Sequence, residues 1–134
     1  MTTKRYLTIL GIGVTLLGLL GVFGVLSEQN TPFYVLDIGE HRAHLVLGLI
    51  ALAVVFVPGL NTWLAPYHKP VLIVIGALAL LLGLFGFMVI MAGIPMPNIS
   101  GLPNFKNWID SLLHVVIGSS ALWVALKTPA RQRA

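Results

Sequence analysis

VLIVIGALALLLGLFGFMVIMAGI, residues 71–94, carries no charged or hydrogen-bonding side chain. It exceeds the roughly 20 residues that cross a hydrocarbon layer as a helix rising 1.5 Å per residue. This stretch decides the fold, because a backbone in lipid must satisfy its own polar groups and a single segment does so only as an α-helix. The whole chain agrees with it. Its 134 residues are 57% hydrophobic and only 9% charged, with a mean hydropathy of +0.96, outside the range of soluble globular domains.

Working outward from residue 71, three more apolar stretches appear: Tyr6 to Leu26, Ala43 to Val57 and Ser111 to Leu126. The last two are short for a span and must recruit the polar turn before them. This sets Asp37 to Arg42 and Asn107 to Asp110 near headgroup depth, with His44 and His114 about one turn further in. The expected architecture is an all-α integral membrane four-helix bundle forming one domain over residues 1–134, with spans at about 6–26, 38–57, 70–94 and 108–126. Lys4 and Arg5 before an apolar core resemble a secretion signal, but the core is long and Ser27 to Asn30 offer no small-residue cleavage site, so a retained helix is expected. No cysteine is present, which excludes disulfides and thiolate chemistry.

Lys4, Arg5, Lys69, Lys127, Arg131 and Arg133 fall on one side of this topology. The acids Glu28, Asp37, Glu40 and Asp110 fall on the other, with Arg42 and Lys106. Positive charge marks the cytoplasmic side, so both termini are expected there. Tyr6, Trp63, Tyr67 and Trp123 are expected as aromatic anchors at the inner boundary, and Phe33, Tyr34, Phe105 and Trp108 at the outer one. The basic pI of about 9.9 is then a topology signal that needs no nucleic-acid partner.

The sequence also repeats. His44, Gly48, Ala51 and Leu52 recur 70 residues later as His114, Gly118, Ala121 and Leu122, and the same offset maps Asp37 onto Asn107 and Glu40 onto Asp110. GLLG at 18–21 recurs as GLFG at 83–86, an offset of 65. Two parallel hairpins, residues 1–60 and 70–130, are implied, related by an axis along the membrane normal.

Asp37 with Glu40, and Asn107 with Asp110, read as helix N-terminal caps, and acids there also favour the helix dipole. Glu40 and His44, like Asp110 and His114, are i, i+4 pairs that share a helix face, and Gly48 and Gly118 lie one turn further along it. Over such a glycine either a flat ring or a neighbouring helix can approach. Four readings of the histidines compete. They are axial ligands of a haem- or chlorophyll-type tetrapyrrole, each with a carboxylate on its second nitrogen. They join His41, Glu40 and Asp110 at a divalent metal. They handle protons. Or they hydrogen-bond across helices and hold the bundle together.

His68, between two prolines, is expected as a solvated residue at the inner interface. Gly11, Gly18, Gly21 and Gly24 in the first span, and Gly76, Gly83, Gly86 and Gly93 in the third, are expected as helix seams within the bundle or against other subunits. Gly11-Ile12-Gly13 lies inside a span and lacks the strand context of a nucleotide fingerprint. Ile94 to Lys106, with Pro95, Pro97, Pro103 and Gly101, is expected as a fixed, extended outer loop. Its Asn98-Ile99-Ser100 matches a glycosylation sequon incidentally.

The paired hairpins, GLFG and NWIDSLLHVVIGSSAL (residues 107–122) resemble a family of small four-helix bacterial membrane proteins catalogued as a domain of unknown function. Asn107, His114 and Gly118 match that family's pattern, and Asp110 stands where it has a second polar amide or a histidine. The resemblance implies the fold and a bacterial inner membrane, or an equivalent energy-transducing membrane, and supplies no activity.

No hydrolase triad, phosphate loop or activated nucleophile is visible. The chain is therefore expected to be a non-enzymatic membrane protein, an accessory or structural subunit of a larger respiratory or photosynthetic assembly. Its expected partners are lipids and other membrane subunits or itself. The alternatives are a tetrapyrrole carrier ligated by His44 and His114 and, third, a small ion or proton transporter.

Overall fold

The computed structural model describes residues 1–26, 34, 36–95, 105 and 107–129. The exit segment Ser27 to Asn30, the anchor Phe33, the sequon at 98–100, Pro97, Gly101, Pro103, Lys106 and the tail arginines lie outside the described residues. Helix α1 covers Thr3–Val22, α2 Ile38–Phe56, α3 Pro58–Leu64, α4 His68–Ala92 and α5 Trp108–Lys127, with a 3₁₀ turn at Ala65–Tyr67. Four helical stretches are long and apolar enough to cross a membrane: Thr3–Val22, Ile38–Phe56, Pro58–Ala92 and Trp108–Lys127. Among the described residues there is no strand.

Local chemistry sets the boundaries. Thr2 caps α1 by accepting from the Arg5 amide, so the helix starts at Thr3, ahead of Tyr6. It ends at Val22, where Gly24 takes a positive φ of 76°. Gly93, at φ 62°, closes α4 in the left-handed conformation, which costs glycine little. These two glycines therefore terminate helices and take no part in the expected seams. Asp37 caps α2 through the Glu40 amide at 2.8 Å. Asn107 caps α5 through the amides of Ile109 at 3.0 Å and Asp110 at 3.4 Å.

Residues 58–69, between the expected second and third spans, are helical. Pro58 opens α3, Pro66 lies in the first positions of the 3₁₀ turn, and Pro70 lies in the first turn of α4. No intrahelical N–H is needed at such positions. Lys69 donates to the Thr128 carbonyl at 2.7 Å, tying the start of α4 to the end of α5. Trp63, Tyr67, Trp108 and Trp123 are exposed, whereas Tyr6 and Tyr34 turn inward and are buried.

α1 packs closely against α2 and α4 against α5, while α1 touches α4 and α5 only lightly. Small residues make these close crossings, since backbone approach is what joins helices in lipid. A β-carbon on Gly11 would press on Ala51 and Leu52, one on Gly18 would overlap the Leu45 backbone, and one on Gly21 would overlap the His41 ring. Gly48 sits against Thr15 in the same way. The second pair of helices shows the matching set: Gly76 against Ala121 and Leu122, Gly83 against Val115, Gly86 against Ser111, and Gly118 against Leu80. Every α4 residue in this set lies 65 positions after its α1 counterpart, and every α5 residue 70 after its α2 counterpart. The seams are thus used inside each hairpin.

Across the hairpins, Tyr6, Leu7, Val55, Leu72, Ala121, Val124 and Ala125 form one buried cluster toward the end where α2 and α5 finish. The Tyr6 hydroxyl reaches the Ile117 carbonyl at 3.0 Å and Ser120 Oγ at 2.6 Å, bridging α1 to α5.

Candidate functional site: a histidine pair above an apolar cavity

Where α2 and α5 begin, their first turns bring a polar layer into the interior. Glu40 and Asp110 are each only 2% exposed, and Tyr34, Asn107 and Ser111 are buried beside them. Burial holds the Tyr34 phenol well above its usual pKa, and the nearby carboxyls of Asp110 and Glu40 add to the rise. One turn deeper the two imidazoles meet: the ring centres of His44 and His114 are 6.4 Å apart, with planes inclined by 44°.

The two acid–imidazole pairs are not equivalent. His114 Nδ1 lies 2.9 Å from the Asp110 carbonyl oxygen and 3.4 Å from its Oδ1, so backbone and carboxyl both fix the ring. His44 Nδ1 is buried beside the Glu40 backbone, with no carboxyl contact like that of Asp110 on His114. Asp110 is close enough to act electrostatically on both imidazoles, and Glu40 acts on His114.

Beneath the pair lies a cavity of about 280 Å³ between the hairpins, lined by both histidines. Its walls are apolar: Leu7, Leu10, Gly11 and Val14 from α1, Leu47, Ala51 and Val54 from α2, Val71, Ile75 and Ala79 from α4, and Ile117 from α5. Tyr67 and His68 line its far end. His68, expected as a solvated interfacial residue, is instead only 6% exposed, and its Nε2 is buried without a hydrogen-bond partner. It is the first member of the buried α4 face that continues through Leu72, Gly76 and Gly83. That helical spacing, extended back one turn from Leu72, was the available sequence signal.

His41 is not part of the pair. Its ring turns the other way, against Gly21 of α1. Among the described residues no group of three His, Asp or Glu side chains is placed to hold a metal ion. Gly48 and Gly118 receive a neighbouring helix, one of the two occupants their position allows. A scan against protein-family models, a search of curated proteins and a search of solved structures each found no match to this chain.

Proposed function

We propose that this chain is a non-enzymatic integral membrane protein that carries a tetrapyrrole between its two hairpins, with His44 and His114 as the axial ligands of its metal. The 6.4 Å separation of the ring centres carries this reading. Metal–imidazole bonds of about 2 Å put each ring centre about 3 Å from the ion, so two rings on one metal lie about 6 Å apart. A 44° twist is compatible with two imidazoles on a common axis. Asp110 holding His114 Nδ1 matches the second-shell arrangement that fixes the tautomer of a metal-ligating histidine and leaves Nε2 for the metal. The hairpins are read as copies of one unit, supported by the paired crossings, and the histidine layer is placed at the outer leaflet, with both termini inside, by the positive-inside rule.

The absorption spectrum of the chain purified from its own membrane tests this. A Soret band is expected, lost in His44→Ala and in His114→Ala. A colourless preparation that retains its fold would remove the reading.

As a wider role we propose an accessory subunit of a larger membrane assembly. Its support is the run of exposed apolar residues Ile9, Leu16 and Leu20 on α1 and Val74, Leu78, Leu81 and Leu84 on α4, which lipid or neighbouring subunits would cover. Purification in mild detergent should recover the chain with partners or as an oligomer, and a strictly solitary monomer would count against it.

A further inference from the structure

We infer that the space between the hairpins is a lipid site: it takes one acyl chain of a phospholipid, which enters sideways from the bilayer between α2 and α4. The inference goes beyond the tetrapyrrole reading and does not depend on it.

The cavity has a side that faces lipid. Leu47 and Ile50 of α2, Val71 of α4 and Tyr67 just before it all line the space, and all four are exposed on the bundle surface. Among the described residues α2 and α4 do not pack closely together. A molecule dissolved in the bilayer therefore reaches the interior without crossing water.

Size and chemistry favour a hydrocarbon chain there. On α4 the wall runs from Val71 to Ala79, eight residues on, which is about 12 Å of helix. Half of a hydrocarbon core of roughly 30 Å is about 15 Å, so the depth matches an acyl chain from one leaflet lying along the helices. Water is a poor substitute, since apolar cavities of about 150 Å³ stay dry yet accept hydrocarbon ligands. Left unfilled, the space forfeits the contacts its lining atoms would otherwise make.

The end at His68 suits the lipid's head. Tyr67 and His68 line it, and His68 is only 6% exposed with its Nε2 lacking a hydrogen-bond partner. An ester oxygen at this depth would accept from that nitrogen when it carries the ring proton. Lys4 is close enough to act electrostatically on His68, and Lys4 and Arg5 are exposed at the start of α1. A phosphate at that end would meet positive charge, as a bare hydrocarbon would not.

The test uses the full chain in phosphatidylcholine vesicles that contain a little phosphatidylglycerol with a diazirine within one acyl chain. After illumination the labelled residues are mapped by mass spectrometry. Leu7 and Leu10 line the cavity, and Leu7 is almost wholly buried, whereas Leu81 is exposed on the surface of α4. Label is expected at Leu7 and Leu10 as well as at Leu81. In Ile50→Trp/Val71→Trp, which narrows the opening at two exposed positions, the label at Leu7 and Leu10 should be lost and that at Leu81 kept. Label confined to surface positions in the native chain would overturn the inference. So would label at Leu7 from a free diazirine fatty acid but none from the phospholipid, since the occupant would then be a different molecule. The native-chain pattern decides the matter even if the double variant does not fold. A Soret band is a separate readout, so this inference and the tetrapyrrole reading stand or fall independently.

Discussion

The imidazole of His41 occupies the space that a β-carbon on Gly21 would need. The pair fixes how closely the ends of α1 and α2 approach, and neither partner has room to give, because His41 is itself buried. Gly21→Ala should therefore destabilise the first hairpin by about 1–3 kcal/mol, the usual cost of overpacking. Gly13 faces open space in the same helix, so Gly13→Ala should be neutral or slightly stabilising, since alanine is the better helix former. Unfolding in detergent of the two variants side by side checks the opposite signs.

Gly48 and Gly118 offer a test of equivalence between the hairpins. Each lies against the backbone of a facing helix, at Thr15 and at Leu80 respectively. Unlike a flexible side chain, a backbone cannot swing aside, so Gly48→Ala and Gly118→Ala should lose stability by similar amounts, about 1–3 kcal/mol each. A loss confined to one variant, measured by the same unfolding assay, would show that the two crossings are not equivalent.

How much of this was legible in the sequence depended on the kind of signal. The four apolar stretches and the caps at Asp37 and Asn107 are local: length, hydropathy and one side chain decide them. His44 and His114 could be placed at one depth by the 70-residue offset, but their separation depends on how two hairpins settle against each other. His68 was misread because Pro66 and Pro70 suggested a loop, whereas prolines in first-turn positions leave a helix intact. The inward turn of Tyr6 and Tyr34 is likewise a tertiary matter, since an amphipathic aromatic suits either the boundary or a buried partner. Glu40 and His41 illustrate the same limit, as neighbours that face different contacts.

Tyr6 and Ser120 form one of the few polar links between the hairpins. Either hydroxyl can donate in the 2.6 Å contact, since Ser120 Oγ also reaches the Val116 carbonyl at 2.7 Å and the Tyr6 hydroxyl the Ile117 carbonyl at 3.0 Å. Such bonds in membrane bundles average about 0.6 kcal/mol, with a maximum near 1.7. Tyr6→Phe should cost an amount in that range. A double-mutant cycle with Ser120→Ala should give a positive coupling smaller than the full Tyr6→Phe loss, because the Ile117 carbonyl at 3.0 Å remains available as acceptor. Zero coupling would mean that Tyr6 serves Ile117 alone.

Tyr34 gives the polar layer a pH signature at the alkaline end. Its phenol is raised above the usual value of about 10, first by burial and then by the carboxyls of Asp110 and Glu40. Below pH 10 both native and unfolded chains hold this proton, and the group contributes no slope. Above it the unfolded chain releases the proton while the native chain keeps it, so the unfolded state binds fewer protons and stability falls as pH rises. The slope from this one group is at most about 1.4 kcal/mol per pH unit. Thermal unfolding in detergent between pH 9 and 12 should show that decline, and Tyr34→Phe, which removes the ionisable hydroxyl, should flatten it. An unchanged slope in the variant would assign the decline to other groups and would mean that the phenol is not enclosed with Glu40 and Asp110.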